Sequence, residues 1–143
     1  MIAIERLLAF DVVALAEMDR LMHELSATSS CTEEKLREAL EDSNSYVYVA
    51  RDGVRIVGCG TLCVMHTPEF RLGAIEAVVV LKEYRGQGIG RQIVEALLSE
   101  ARNLAPITLH LTSNPARQAA NAMYRQMGFR RKETNCYSYD VRR

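Results

Sequence analysis

The sixteen residues Ile75–Gly90, Ile-Glu-Ala-Val-Val-Val-Leu-Lys-Glu-Tyr-Arg-Gly-Gln-Gly-Ile-Gly, constrain this chain more than any other stretch. An apolar run rich in β-branched residues reads as a strand, and it carries one carboxylate, Glu76. It breaks into a glycine-rich turn that opens an amphipathic helix. Gly86, Gly88 and Gly90 lack a Cβ, so the backbone there can approach a ligand closely. The first amides of the following helix have no intrahelical partner and lie at the positive end of its dipole, which suits phosphate oxygens. Arg85 and Arg91 add positive charge on either side.

Spacing narrows the choice of phosphate ligand. A dinucleotide fingerprint read from Gly86 and Gly88 needs a third glycine where the chain has Arg91. A Walker loop read from Gly86 needs Gly-Lys-Ser/Thr and meets Arg91-Gln92-Ile93 instead. What remains is Arg85-Gly86-Gln87-Gly88-Ile89-Gly90, directly after a hydrophobic strand.

At 143 residues, 48% hydrophobic and 25% charged, the chain has the profile of one soluble globular domain, and residues 1–143 are read as a single unit without a linker. Eighteen basic residues balance eighteen acidic ones, which removes a global pull toward nucleic acid or anionic lipid. The Arg130-Arg131-Lys132 cluster and the Arg142-Arg143 tail read as solvated strand ends. Glu5 and Arg6 interrupt the apolar start, so neither a signal peptide nor a spanning helix is expected there, and a cytosolic protein is. Cys31, Cys59, Cys63 and Cys136 form no Cys-x-x-Cys pair, and His23, His66 and His110 no ligand grouping, so no metal is expected. Cys59 and Cys63 fall in a strand pattern and read as buried thiols.

Taken in order, Ile2, Ile4, Leu7 and Leu8 suggest a first strand, and Asp11 can cap a helix through Leu15, Met18, Met22 and Leu25. Ser30 with Glu33 fits a capping box for a second helix on Leu36, Ala39 and Leu40. Tyr46–Ala50 and Ile56–Val64 flank the turn signal Asp52-Gly53 as a hairpin, in which Gly58 and Gly60 mark a bulge or a close backbone approach. His66–Glu69 is a loop into the central strand. Ile89, Ile93, Val94, Leu97, Leu98, Ala101 and Leu104 share one helical face ended by Pro106. A strand over residues 107–112 leads to a helix capped by Ser113 or Asn114, with Pro115 at its first position and Gly128 as its C-terminal cap. Tyr137, Tyr139 and Val141 suggest one or two closing strands after Phe129. The order is β-α-α-β-β-β-α-β-α-β(-β), an α/β chain with a mixed sheet and helices on both faces; pattern alone allows several topologies.

Two separated motifs select one. Arg85–Gly90 resembles the acetyl-CoA pyrophosphate loop of the GCN5-related N-acetyltransferase (GNAT) superfamily, and Asn114-x-x-Arg117-x-x-x-Asn121-x-x-Tyr124-x-x-x-Gly128-Phe129 is similar to a second signature of that family. The resemblance covers nearly the whole chain. It implies the GNAT fold with a mostly antiparallel sheet, acetyl-CoA as cosubstrate without a metal, and direct transfer of an acetyl group to a primary amine. A small-molecule acceptor is the first expectation; a protein lysine or N-terminal amine, or a non-catalytic acyl-CoA sensor, are the alternatives. A homodimer through the closing strands is also expected from relatives.

Acetyl transfer needs a neutral amine, a polarised carbonyl and a proton for the departing thiolate. Glu76 is the candidate base, because a carboxylate enclosed in an apolar strand would have its pKa raised by desolvation; the bland reading is a solvent-facing strand residue. Tyr124 is the candidate acid, as a neutral phenol that in relatives points to the CoA sulfur; the bland reading is a core tyrosine. By the same resemblance Val78, Val79 and Val80 offer backbone groups to pantetheine, Arg85, Gly86, Gln87, Gly88, Ile89, Gly90 and Arg91 hold the pyrophosphate, and Asn121 touches CoA. Asn114 is a helix cap that also falls in the cofactor motif, and Arg117 either holds the helix or reaches a CoA phosphate. His66 and Glu69 are candidates for the acceptor side.

Overall fold

Strand β2 (Ser45–Asp52) turns through Gly53-Val54 into β3 (Arg55–His66), and β4 (Arg71–Val80) returns alongside it, giving an antiparallel ladder. Strand β1 (Ile2–Arg6) pairs antiparallel with the outer edge of β2, and β5 (Thr108–His110) pairs parallel with β4. The five-stranded mixed sheet thus runs β1-β2-β3-β4-β5, the order expected of the GNAT fold. This computed structural model describes residues 1–142; Arg143 lies outside the described residues. The chain packs as two compact units, one from Met1 to Leu111 and one from Thr112 onward.

In the first unit, helix α1 (Val12–Leu25) starts, as expected, where Asp11 Oδ1 accepts from the Ala14 amide at 2.8 Å, and it ends at Ser26. Helix α2 (Glu33–Glu41) departs from expectation. Its cap is Thr32, whose hydroxyl accepts from the Lys35 amide, so Ser30 lies outside the helix and the Ser30–Glu33 box does not form. Helix α3 (Ile89–Arg102) buries Ile89, Ile93, Val94, Leu97 and Ala101 against β2, β3 and β4. The close approach anticipated at Gly60 is real: a Cβ there would lie 2.8 Å from Ile93 Cγ2 and 3.2 Å from Val78 Cγ2. Alternation sends Cys59 to the opposite face, where it too is buried; α1 and α2 pack on β2–β4, so both faces of the sheet are covered.

Strand β5 is shorter than the expected 107–112. Only Thr108–His110 find partners, opposite Leu72–Ala74, and Leu111 and Thr112 stay outside the ladder despite their strand-forming side chains. In the second unit, helix α4 (Gln118–Gln126) starts later than the Ser113/Asn114 cap implies. Asn114 Oδ1 accepts from the Ala116 amide at 2.9 Å and its carbonyl from Arg117, which closes a turn around Pro115 before the helix begins. The other end is as expected: Gly128 has φ +98°, its amide bonds Arg125, and the Phe129 amide bonds the Tyr124 carbonyl at 3.0 Å, a Schellman closure. Among the described residues the closing strands are not formed. Tyr137, Tyr139 and Val141 are exposed, and alternation alone does not make a strand without an edge to accept its backbone bonds.

Candidate active site

The first unit builds a strand edge that runs into a loop. Strand β4 has β5 as a neighbour only as far as Ala74; from Ile75 to Val80 that edge has no strand partner among the described residues. Midway, the register against β3 slips: Thr61 faces Glu76 but Cys59 faces Val79, so Ala77 and Val78 together oppose Gly60. Ala77 takes φ +54°, a left-handed conformation rare for a residue with a Cβ. Beside Gly58 the register against β2 also shifts, with Val57 as the extra residue of β3, so a bulge does lie next to that glycine. Opposite Gly60 the extra residue is on β4, and nothing about an alanine announces it.

A single 3-10 turn, Lys82–Tyr84, then leads to Arg85. Gly86 and Gly88 both have φ +78°, and a Cβ at either would meet nothing within 4 Å, so the loop needs glycine for its backbone while leaving open space above it. Gly88 is the N-cap of α3 and no side chain caps it. The first helical bond comes from the Gln92 amide, so the amides of Ile89, Gly90 and Arg91 precede it and remain available to an anion. The uncapped helix start, the open glycine backbone and the adjoining strand edge together fit a diphosphate joined to an extended, amide-bearing chain.

The candidate side chains separate into groups. Gly86, Gln87 and Gly88 are exposed, whereas Ile89 and Val79 are buried and contribute side chains to the core. Val78 and Val80 approach α3: their Cγ2 atoms lie 3.2 and 3.4 Å from where Gly60 and Gly58 would carry a Cβ. Arg91 Nε donates to Glu95 Oε1 at 3.1 Å along α3. Arg85 donates from Nε to the Val80 carbonyl at 3.1 Å and from Nη2 to Glu24 at 3.3 Å.

Glu76 is exposed, which corrects the expectation of an enclosed carboxylate. Its neighbours Ile75 and Val79 are buried, but Glu76 stands where β4 has already parted from β5 and at the start of the bulge. Facing it on β3 is Thr61, and next along the same face is Cys63, paired with Ser45 on β2 and Ala74 on β4. Partial burial pushes the Cys63 thiol up, the Ser45 hydroxyl opposes this, and the negative charges of Glu76 and Asp42 add to the rise. This polar strip of Ser45, Thr61 and Cys63 beside the carboxylate was not singled out in the sequence; its signal is the alternation of small polar residues with apolar ones along β3. His66, expected in the loop, is the last residue of β3 and pairs with Arg71; it is exposed, as is Glu69 in the connection that follows, which lines an open pocket with Phe70, Arg71, Pro106, Ile107 and Thr108.

In the second unit, Tyr124 is buried and packs edge-to-face on Phe129, with ring centroids 5.7 Å apart. Burial pushes its phenol up from the ordinary value, with the Arg117 charge opposing, so it stays protonated well above neutral pH. Asn121 Nδ2 donates to the carbonyls of Asn114 and Arg117 at 3.0 and 2.8 Å, which ties the turn before α4 to its first turn. Among the described residues no group of three or more His, Cys, Asp or Glu is placed to hold a metal ion, and no helix is long and apolar enough to cross a membrane.

Comparison with known proteins agrees with this geometry. The chain is 31% identical over 86 residues to N-alpha-acetyltransferase 30 of Schizosaccharomyces pombe, a match covering 59% of this chain and 57% of that protein. It is 30% identical over 118 residues to an IAA acetyltransferase of Azospirillum brasilense, covering 82% of this chain and 75% of that one. Its fold is similar to the crystal structure of an aminoglycoside acetyltransferase from an uncultured soil metagenomic sample, with a TM-score of 0.83 at 23% identity over 99% of this chain and 97% of that one. The acetyltransferase (GNAT) family model matches residues 12–129. With the splayed strand edge and uncapped glycine loop in place, the chain belongs to the GNAT acetyltransferase family and is an acyltransferase.

Proposed function

We propose that this protein is a single N-acetyltransferase domain spanning both units, and that it moves an acetyl group from acetyl-CoA to a primary amine of a small molecule. The observation that carries the reading is the free β4 edge from Ile75 to Val80, running into a glycine loop whose helix amides have no cap. Bound acetyl-CoA supplies the thioester. The loop from Arg85 to Arg91 holds the diphosphate, and the backbone beside the Ala77 bulge orients the acyl end and polarises its carbonyl. Exposed at that bulge, Glu76 takes the proton of the attacking amine, directly or through a water. Tyr124, protonated by virtue of its burial, donates to the departing thiolate. Transfer by direct attack needs no covalent enzyme intermediate.

The acceptor is read as a small amine because the similar fold is that of an aminoglycoside enzyme. A second reading, acetylation of protein N-termini, is favoured by the match to N-alpha-acetyltransferase 30. Thiol release with acetyl-CoA, measured across amino sugars, polyamines, amino acids and N-terminal peptides, separates them. Turnover on small amines but not peptides supports the first reading, and the reverse supports the second. Tight CoA binding without release on any of them would leave a sensor. With an accepted amine, Tyr124→Phe is expected to lower turnover by about a hundredfold or more while sparing acetyl-CoA affinity. Unchanged turnover in Tyr124→Phe or in Glu76→Gln would remove that residue from its role.

A further inference from the structure

Helix α1 and the segment before the glycine loop are joined by two ion pairs of opposite polarity. Arg20 Nη2 donates to Glu83 Oε1 at 3.0 Å, and one turn later Glu24 Oε2 accepts from Arg85 Nη2 at 3.3 Å. Arg55 adds a second donor to Glu83, also at 3.3 Å. Arg85 is therefore held twice, through Nε by the Val80 carbonyl and through Nη2 by Glu24. A guanidinium has five N–H donors in a rigid plane, and these two bonds engage only Nε and Nη2. Nη1 has no partner among the described residues. The Glu24 side chain is 29% exposed and that of Arg85 53%, so the carboxylate is the more enclosed member and the cation the one offered to solvent.

Resting on the reading of Arg85–Gly90 as the cofactor loop, we propose that Glu24 is a positioning residue, which from α1 fixes the Arg85 guanidinium so that its free edge meets the diphosphate of an acyl-CoA. Unanchored, an exposed arginine would lose side-chain entropy on meeting phosphate. Anchored by Glu24 and Val80, it meets the anion with that freedom already restricted. The opposite expectation is also physical: a carboxylate beside Arg85 could simply cancel its charge and weaken anion binding. The two predict opposite signs for removal of Glu24.

The test is calorimetric titration of CoA into wild type, Glu24→Gln, Arg85→Gln and the double variant. Glu24→Gln is expected to weaken CoA by about three- to fivefold, the scale of one exposed charge pair. Arg85→Gln weakens it at least as much, and adding Glu24→Gln to Arg85→Gln changes nothing further, because Glu24 acts only through Arg85. Glu24→Ala should repeat the pattern with a melting temperature close to wild type. In turnover, KM for acetyl-CoA rises while kcat holds. Unchanged or tighter binding in Glu24→Gln, or losses that add in the double variant, would overturn the proposal with the loop reading intact. No CoA binding by wild type would overturn the loop reading itself.

Discussion

Replacing Gly60 by alanine tests how closely α3 lies on the sheet. The added Cβ would sit 2.8 Å from Ile93 Cγ2, 3.2 Å from Val78 Cγ2 and 3.3 Å from Leu97 Cδ1. Carbon atoms in good contact are about 3.5–4.0 Å apart, so the first of these overlaps by about 0.7 Å or more. Ile93 Cγ2 is a branch methyl next to the helix backbone, with no terminal torsion to swing it aside, and Ile93 and Leu97 are both fully buried. Relief therefore requires α3 to lift or the Val78 bulge to shift. Overpacking of this kind costs about 1–3 kcal/mol, reduced by about 0.4–1 kcal/mol because alanine restricts the unfolded chain. With central values of about 2 kcal/mol lost and about 0.7 kcal/mol regained, the net loss of about 1.3 kcal/mol corresponds to a melting temperature lower by roughly 3–5 °C for a chain of this length. Calorimetric melting together with denaturant unfolding reads it, with the denaturant slope unchanged. Gly58→Ala should cost less, since its closest contact, 3.0 Å, is to the terminal Ile93 Cδ1. A Gly60→Ala protein as stable as wild type, or more stable, would refute the packing argument.

Two further perturbations follow from local geometry. Asp11→Ala removes the N-cap of α1 and should cost about 0.5–2 kcal/mol in denaturant unfolding, while Asp11→Asn retains most of it. Burial pushes Cys59 up from 9.0 to about 12, so across that window the unfolded chain gives up a proton that the folded chain keeps. Stability, full below about pH 9, should fall as pH rises toward 12, and the fall should be shallower in Cys59→Ala; equal slopes would remove Cys59 as a cause. Mass-resolved alkylation of the native protein at pH 8 should label exposed Cys136 first and Cys59 last.

Much of the fold was legible because its signals are local. Asp11 before an apolar-periodic run, Asp52-Gly53 between two strand patterns, and Gly128 after Met127 each specify a cap or turn through their own backbone chemistry, and each appears where expected. What failed depended on partners that are distant in sequence. Leu111, Thr112, Tyr137 and Tyr139 have strand-like side chains, but strands exist only where another edge takes their hydrogen bonds. Ser30, from its spacing to Glu33, and Asn114, from the Pro115 after it, read as caps on local pattern; Thr32 begins one helix, and the Asn114 side chain closes a turn instead of opening the other. At the candidate site the glycine loop was visible because only glycine accepts φ +78° without strain. The Ala77 bulge, the polar strip beside Glu76 and the Glu24–Arg85 pair were not, since each arises from register or packing between separate elements.

The most direct test of the account is titration of acetyl-CoA into the wild-type protein and into Gly88→Glu, which places a side chain and a negative charge at the uncapped start of α3. The account predicts saturable one-to-one binding to wild type and none measurable to a folded Gly88→Glu protein. Equal affinity in the two would place the cofactor elsewhere, and absence of binding to wild type would contradict the reading of Arg85 to Gly90 as an acyl-CoA loop.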